Sequence, residues 1–410
     1  MKVAAIIAEY NPLHSGHVYH IDSTKKLTNC DAVICIMSGN FVQRGEPALI
    51  DKFIRTRMAL KNGIDLIIEL PIVYSLASAE FFAFGAVSIL NRLGIVDYIS
   101  FGSEIGNAEV LYKIASVLVK EDANYKKLLK YHISRGERFP TARSNSLKEY
   151  LANSDLFNKF NNDSDKILNS SNNILGIEYC KALIKLKSNI DVITIKRQGG
   201  AYNEGKLNNI FSSATSIRRY IKSSSKIDIL KKHVPNESYN IINELILSNY
   251  SFTYPDDMLK HLKYKALTDY KRAIKKIPDV SEGLDNKIID VLQNNNSYEA
   301  IVKNIKSKRY TYTRISRILC QYFIGFEQFD IDNMRKMEAP YARILGFNNK
   351  GKYILNKIKK NTDIALITNI PKYHNDFLAL DIQSTKAYSL LNNNIKYNCD
   401  YINKPIIIDN

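Results

Sequence analysis

The segment AEYNPLHSGHVYH, residues 8–20, places His14 and His17 three positions apart, directly after the apolar run Val3-Ala4-Ala5-Ile6-Ile7. Two imidazoles at that spacing, where a strand gives way to a helix, suit chemistry on phosphates. The first turn of a helix carries unpaired amides and the positive end of its dipole, so it attracts anionic oxygens. Imidazole donors beside it can hold a nucleotide and stabilise charge that builds on its α-phosphate. Asn11, Pro12 and Gly16 supply the turn, and Gly16 lets a nucleotide approach the backbone. The same residues also suit a plain helix cap, because a short His-x-Gly-His match arises by chance.

A second cluster lies far along the chain. FSSATSIRRYI, residues 211–221, sets Ser213, Thr215 and Ser216 at a helix start with Arg218 and Arg219 just inside. Hydroxyls there cap a helix, and with an arginine behind them they can also bind a polyphosphate. The loop SGNFVQRGEPA carries Arg44, a candidate for closing on a substrate. KSKRYTYTRISR, residues 306–317, interleaves Lys308, Arg309, Arg314 and Arg317 with Tyr310 and Tyr312. Cations of this kind neutralise RNA phosphates while tyrosines stack on unpaired bases; the competing reading is a solvated basic helix whose tyrosines enter the core. GFNNKGKY, residues 346–353, imitates a phosphate loop, but Tyr353 replaces the hydroxyl that would hold magnesium and no strand is read before it.

These residues need a scaffold that brings them together. Val3-Ile7, Ala32-Met37, Asp65-Glu69, Tyr98-Phe101 and Val192-Ile195 read as buried strands, alternating with helical segments that begin near His17, Asp51, Ala79, Asn107, Ile174 and Ala214. The pattern predicts a parallel α/β sheet with ligands beyond the carboxyl ends of its strands. After Val234-Pro235 longer Lys- and Tyr-rich helices take over, so a catalytic domain over 1–235 and a basic, mainly helical domain over 236–410 are expected. The tail reads as returning to strand at Ile364-Ile367 and Ile406-Ile408.

Composition sets the outer limits. The 410 residues are 45% hydrophobic and 24% charged, enough for a substantial core. No apolar run reaches membrane-spanning length and no signal-peptide pattern follows Met1-Lys2, so a cytoplasmic protein is expected. Cys30, Cys35, Cys180, Cys320 and Cys399 are odd in number and lack a Cys-x-x-Cys pair, which indicates neither a disulfide framework nor a zinc site. The formal charge of +17 favours a polyanionic partner, although a Lys- and Asn-rich composition alone has the same effect.

EYNPLHSGH, MSGNFVQRGEPA, DLIIELP, FGSE and NNILGIEY occur in this order. Together with the SSATSIR element they resemble the HIGH-type nucleotidyltransferase superfamily and, within it, the bacterial tRNA(Met) cytidine acetate ligase family. The resemblance implies a Rossmann-like domain that activates acetate with ATP as acetyl-adenylate, releases pyrophosphate, and acetylates N4 of the wobble cytidine of elongator tRNA(Met). ATP is then a co-substrate accompanied by Mg2+, with no protein ligands assigned to the metal, and acetyl-CoA is not implied. The resemblance gives His14 and His17 the catalytic role. It assigns ATP contacts to Ile7, Ala8, Glu9, Tyr10, Asn11, Pro12, Leu13, His14, Ser15, Gly16, His17, Val18, Tyr19 and His20, then to Gly102, Asn172, Arg197 and Gln198, and to Ser213, Thr215 and Arg218. Ala214 interrupts the family pattern and leaves open whether Ser213 or Thr215 faces the phosphates. Two other readings stand beside this one: a small-molecule nucleotidylyltransferase, and a non-catalytic RNA-binding protein with the same fold.

Overall fold

The structure, a computed structural model, describes residues 1–137, 139–152, 164–197, 212–224, 227–269, 272–281, 283–362, 364–372 and 375–409. Five parallel strands form its centre: β1 (Val3–Ala8), β2 (Ala32–Ser38), β5 (Leu66–Leu70), β6 (Tyr98–Ser103) and β7 (Asp191–Lys196). They run in the order β5-β2-β1-β6-β7, so the chain reverses its direction of growth at β1, between β2 and β6. A reversal of that kind opens a crevice at the carboxyl ends of the central strands.

β1, β2 and β5 are buried on both faces, which explains their continuous apolar runs, while β7 at the edge is only partly covered. In β2, Ala32, Ile34 and Ile36 enter one core, while Val33, Cys35 and Met37 enter the other. Helix α1 (Ser15–Thr28), α2 (Lys52–Lys61) and α5 (Ala214–Ser223) cover the second face through Ile21, Met58 and Ile217. The first is covered by α3 (Ala79–Leu93) and α4 (Ser171–Lys185).

The helical region expected after 235 is present, and its α6 (Tyr312–Ile324) packs Ile315, Ile318 and Leu319 into the same core as α3 and α4. The chain then returns to the sheet. β8 (Tyr341–Phe347) pairs antiparallel with β5, and β9 (Ala365–Ile367) and β10 (Ile406–Ile407) flank β8. The two tail strands were legible in the sequence; β8 was not.

Since β8 runs opposite to its neighbour, the turn after it lies at the far edge of the sheet from the crevice. A strand therefore does precede the phosphate-loop imitation at 346–353. There, however, a Cβ on Gly351 would come within 2.0 Å of the Asp65 carbonyl oxygen, and Lys350 bonds the Asp31 carbonyl. Backbone packing closes that turn to a phosphate.

A buried charge network fixes the second half of the chain to the first. Lys52 on α2 reaches Glu69 at 2.8 Å and Asp400 at 2.9 Å, and Arg343 on β8 reaches Glu69 at 3.1 Å and Asp400 at 2.9 Å. Burial opposes ionisation of Asp400, but the two cations hold its carboxyl well below the usual range. No helix among the described residues is long and apolar enough to cross a membrane.

Candidate active site

The crevice is a cavity of about 550 Å³ at the carboxyl ends of β1, β6 and β7. After β1 the chain turns through Tyr10, whose φ is +46°, and the cis peptide Asn11-Pro12. The Asn11 side chain accepts the Leu49 amide at 2.8 Å, tying this turn to the segment before α2. His14 then becomes the N-cap of α1.

The two histidines both cap the helix and face the cavity, so the two sequence readings coexist. His14 Nδ1 accepts the Gly16 amide at 3.1 Å, and His17 Nδ1 accepts the His14 amide at 3.2 Å. With Nδ1 committed as an acceptor, the neutral ring carries its hydrogen on Nε2. Among the described residues neither Nε2 has a hydrogen-bond partner. The rings stack with centroids 3.8 Å apart, and His20 is held to β6 by Ser100 at 3.1 Å.

Burial lowers the His14 pKa to about 3 and that of His20 to about 4; burial, then the neighbouring histidines, also depresses His17 well below the ordinary value. Arg197 reinforces all three shifts. The site thus presents neutral donors.

Of the stretch from Ile7 to His20, all residues line the cavity except Pro12, Leu13, Ser15 and Val18. Leu13 is fully buried in the core, and Val18 packs against the same core. Ser15 donates its amide to the His233 carbonyl at 3.1 Å. These four support the turn and do not form the cavity wall.

Gly102, Asn172 and Arg197 converge on the wall, but not as three separate contacts. A Cβ on Gly102 would meet the Arg197 side chain at 3.4 Å, so the missing side chain makes room for the arginine to lie across β6. The Asn172 carbonyl oxygen accepts from Arg197 at 3.1 Å, and its amide donates to Glu104 at 2.6 Å. Glu104 also accepts the Asn173 amide at 2.9 Å, which places a carboxylate on the first turn of α4. Asn172 therefore orients Arg197. Gln198 lies outside the described residues.

Helix α5 brings the second cluster. Ser213 is its N-cap and accepts the Ser216 amide at 3.2 Å, while Thr215 accepts from Arg218 at 3.4 Å. Both residues line the cavity, as does Ala214 between them. Arg218 donates to the Asn11 carbonyl at 2.9 Å and to Glu46 at 3.1 Å, joining α5 to the β1 turn and to the loop after β2.

That loop is a two-stranded hairpin, β3 (Phe41–Val42) with β4 (Glu46–Pro47), and its tip places Gln43 and Arg44 on the wall. Glu9 feels the charge of both Arg44 and Arg218. Burial raises its pKa and both arginines oppose the rise. The other wall is apolar, with Phe82 from α3, Phe101, Tyr179 and Ile195. The composition suits a base and a polyanion: a greasy slot at one side, donors and guanidinium groups at the other.

The basic stretch at 306–317 divides in two. Lys308 and Arg309 are exposed, and Arg314 pairs with Asp279 at 3.2 Å. Arg317, expected on an RNA surface with the other three, instead lines the cavity together with Thr313, because the two share one face of α6. Tyr310 was expected to stack on bases; it is 8% exposed, bonds Ser281 through its hydroxyl at 3.1 Å, and packs under Arg314. Its ring belongs to the protein interior, whereas Tyr312 stays exposed.

Two supporting residues escaped the sequence reading. Fully buried Arg55 on α2 donates to the carbonyls of Glu9 at 2.6 Å, Ser38 at 3.1 Å and Ile50 at 2.9 Å, and also to that of Gly39. It fixes the ends of β1 and β2 that begin the site, yet in sequence it looks like any helical arginine. Glu104 was within reach, since an acid after Gly102-Ser103 at a strand end is well placed to receive helix amides.

The HIGH Nucleotidyl Transferase family model matches residues 1–401. Relatives named tRNA(Met) cytidine acetate ligase from Clostridium novyi and Clostridium kluyveri are each 51% identical, over 408 and 409 residues, with 100% of both chains covered. Two structures of Thermotoga maritima TmcAL, 32% identical and covered over 100% of both chains, superpose with TM-scores of 0.90 for the apo form and 0.89 for the form bound with alpha-thio ATP. Matched in fold and over its full length, the chain belongs to the tRNA(Met) cytidine acetate ligase family of HIGH nucleotidyltransferases.

Proposed function

We propose that the protein is an ATP-dependent tRNA(Met) cytidine acetate ligase acting in the cytoplasm. An acetate oxygen attacks the α-phosphorus of ATP and pyrophosphate leaves; N4 of the wobble cytidine of elongator tRNA(Met) then attacks the acetyl carbon, loses a proton, and releases AMP. The observation that carries the reading is the pair of Nε2 donors of His14 and His17 at the start of α1, in a cavity that Ser213, Thr215 and Arg218 also line.

In this reading the adenosine lies toward Phe101, Gly102 and Arg197, and the triphosphate spans α1 and α5. Neutral imidazoles suit the first step, since donors held in fixed positions strengthen as charge grows on the α-phosphoryl oxygens and need not transfer a proton. Arg218, steadied by Glu46, faces the departing pyrophosphate. Positioning and electrostatics then supply most of the rate, as is general in phosphoryl chemistry.

Among the described residues no group of three or more His, Cys, Asp or Glu could hold a metal ion. Glu9 and Glu46, the carboxylates beside the phosphate end, already engage the Gln43 amide and Arg218. Magnesium would accompany ATP and neutralise its phosphate charge, with no residue of this chain assigned to it. We assign Lys308, Arg309 and Arg314 to the tRNA, and the helical region after 235 to its docking.

The test is incubation with ATP, labelled acetate and bulk tRNA, each omitted in turn. Label in RNA that requires all three supports the proposal. Transfer of a nucleotide to a small acceptor without RNA would favour a small-molecule nucleotidylyltransferase, and RNA binding without turnover would favour a non-catalytic protein.

A further inference from the structure

The cavity holds one cation that comes from outside the nucleotide fold. Arg317 sits on α6, in the helical half of the chain, and reaches the cavity wall beside Gln43. Among the described residues its only hydrogen bond runs from Nη1 to the Gln43 carbonyl at 3.4 Å, which is long for such a bond. Its Nε is buried without a partner. Among the described residues no carboxylate lies within ion-pair distance of it, and Asp279, which acts on it electrostatically, is bridged to Arg314. A guanidinium removed from water with neither counterion nor full hydrogen bonding is costly unless something else completes it.

The placement of Arg317 is built in by the surrounding backbone. Gly45 at the hairpin tip has φ +84°, and a Cβ there would come within 2.3 Å of the Arg317 backbone nitrogen. Tyr298 donates to the Gly45 carbonyl at 3.4 Å from the other side. Hairpin and helix are thus in direct backbone contact, and the arginine is fixed relative to the β2 loop that closes the cavity.

Resting on the activity proposed above, we propose that Arg317 binds the carboxylate of the acyl substrate. The Nη1 and Nη2 groups form the end of a guanidinium, whose parallel donors match the two oxygens of a carboxylate. The triphosphate already has two helix starts, two histidines and Arg218. Arg317, with Arg44 near it on the hairpin, faces the cavity from the side that the nucleotide-binding elements leave to a second reactant.

The experiment measures steady-state constants for R317Q and R317K beside wild type, with acetate, formate and propionate as carboxylates and thermal melts as a folding control. R317Q should raise the KM for acetate about 10- to 100-fold, the loss expected for charge-assisted hydrogen bonds. R317K, which keeps the charge but not the fork, should fall between R317Q and wild type. The KM for ATP and the Kd for tRNA should stay within about twofold, well under the 1.4 kcal/mol of a tenfold change. A raised tRNA Kd with an unchanged acetate KM would place the guanidinium on RNA and overturn the proposal, as would a rise confined to the ATP KM. Wild-type turnover with another of the three carboxylates but not acetate would remove acetate as the substrate while leaving the carboxylate assignment intact. Wild-type protein that turns over with none of them defeats the proposed function and this inference together.

Discussion

Replacing His14 by Asn separates its two roles. In the structure Nδ1 caps α1 by accepting the Gly16 amide at 3.1 Å, while Nε2 is left for a ligand. Asn is among the best N-caps, so it should retain the cap, but its side chain is too short to place a donor where Nε2 sits. His14→Ala loses both. The cap is worth about 1 kcal/mol, whereas one donor to a developing oxyanion is worth about 2.7–4 kcal/mol, or 100- to 1,000-fold in kcat. His14→Asn should therefore unfold in urea within about 0.3 kcal/mol of wild type and still lose about 100-fold in kcat at saturating ATP, acetate and tRNA. His14→Ala should show the same loss of kcat and about 1 kcal/mol lower stability. His14→Asn with wild-type kcat would refute the donor role and return the residue to a cap alone.

Lys52→Met leaves Glu69 and Asp400 without the cation at their centre and should cost about 3–5 kcal/mol in denaturant unfolding, the penalty for breaking a buried ion pair; a loss below about 1 kcal/mol would mean the network does not hold the two halves together. The lowered histidine pKa values predict that His14 and His20 stay neutral in ligand-free protein at about pH 5, read from ring-carbon NMR shifts against pH. The sign follows from linkage: the unfolded chain takes up protons below pH 6.5 that the folded rings refuse, so stability from these residues is complete above 6.5 and declines as pH falls toward 4 and then 3. Protonation near pH 6.5 would contradict the buried neutral site. Alanine at Lys308, Arg309 and Arg314 together should weaken tRNA binding and flatten its salt slope by about two units, at about 0.7 for each lost phosphate contact, with ATP affinity unchanged. An unchanged slope would make this a merely solvated face.

β1, β2 and β5 were readable because a doubly covered strand is apolar throughout, and each of the five central strands lies within two residues of Val3-Ile7, Ala32-Met37, Asp65-Glu69, Tyr98-Phe101 and Val192-Ile195. From those ends the crevice followed. β8 was hidden because YARILGF carries Arg343, a charge that ordinarily argues against a central strand and that only the distant Glu69 and Asp400 make tolerable. The place of Arg317 on the cavity wall was hidden for a related reason: i, i+4 spacing puts it on one face with Thr313, but which face meets the cavity depends on Gly45, some 270 residues earlier. The long-range pairings that position Arg55 and Arg218 likewise leave no local trace.

The central claim, that acetate is activated at the α-phosphorus, is tested most directly by the fate of its oxygen. With [18O]acetate, ATP and tRNA, an acetyl-adenylate leaves one acetate oxygen in the phosphate of AMP when cytidine N4 takes the acetyl group. The account predicts one 18O per AMP formed, an equal amount of acetylated tRNA, and unlabelled pyrophosphate. Label in inorganic phosphate with ADP as the nucleotide product would place the attack at the γ-phosphorus and contradict the role given to His14 and His17.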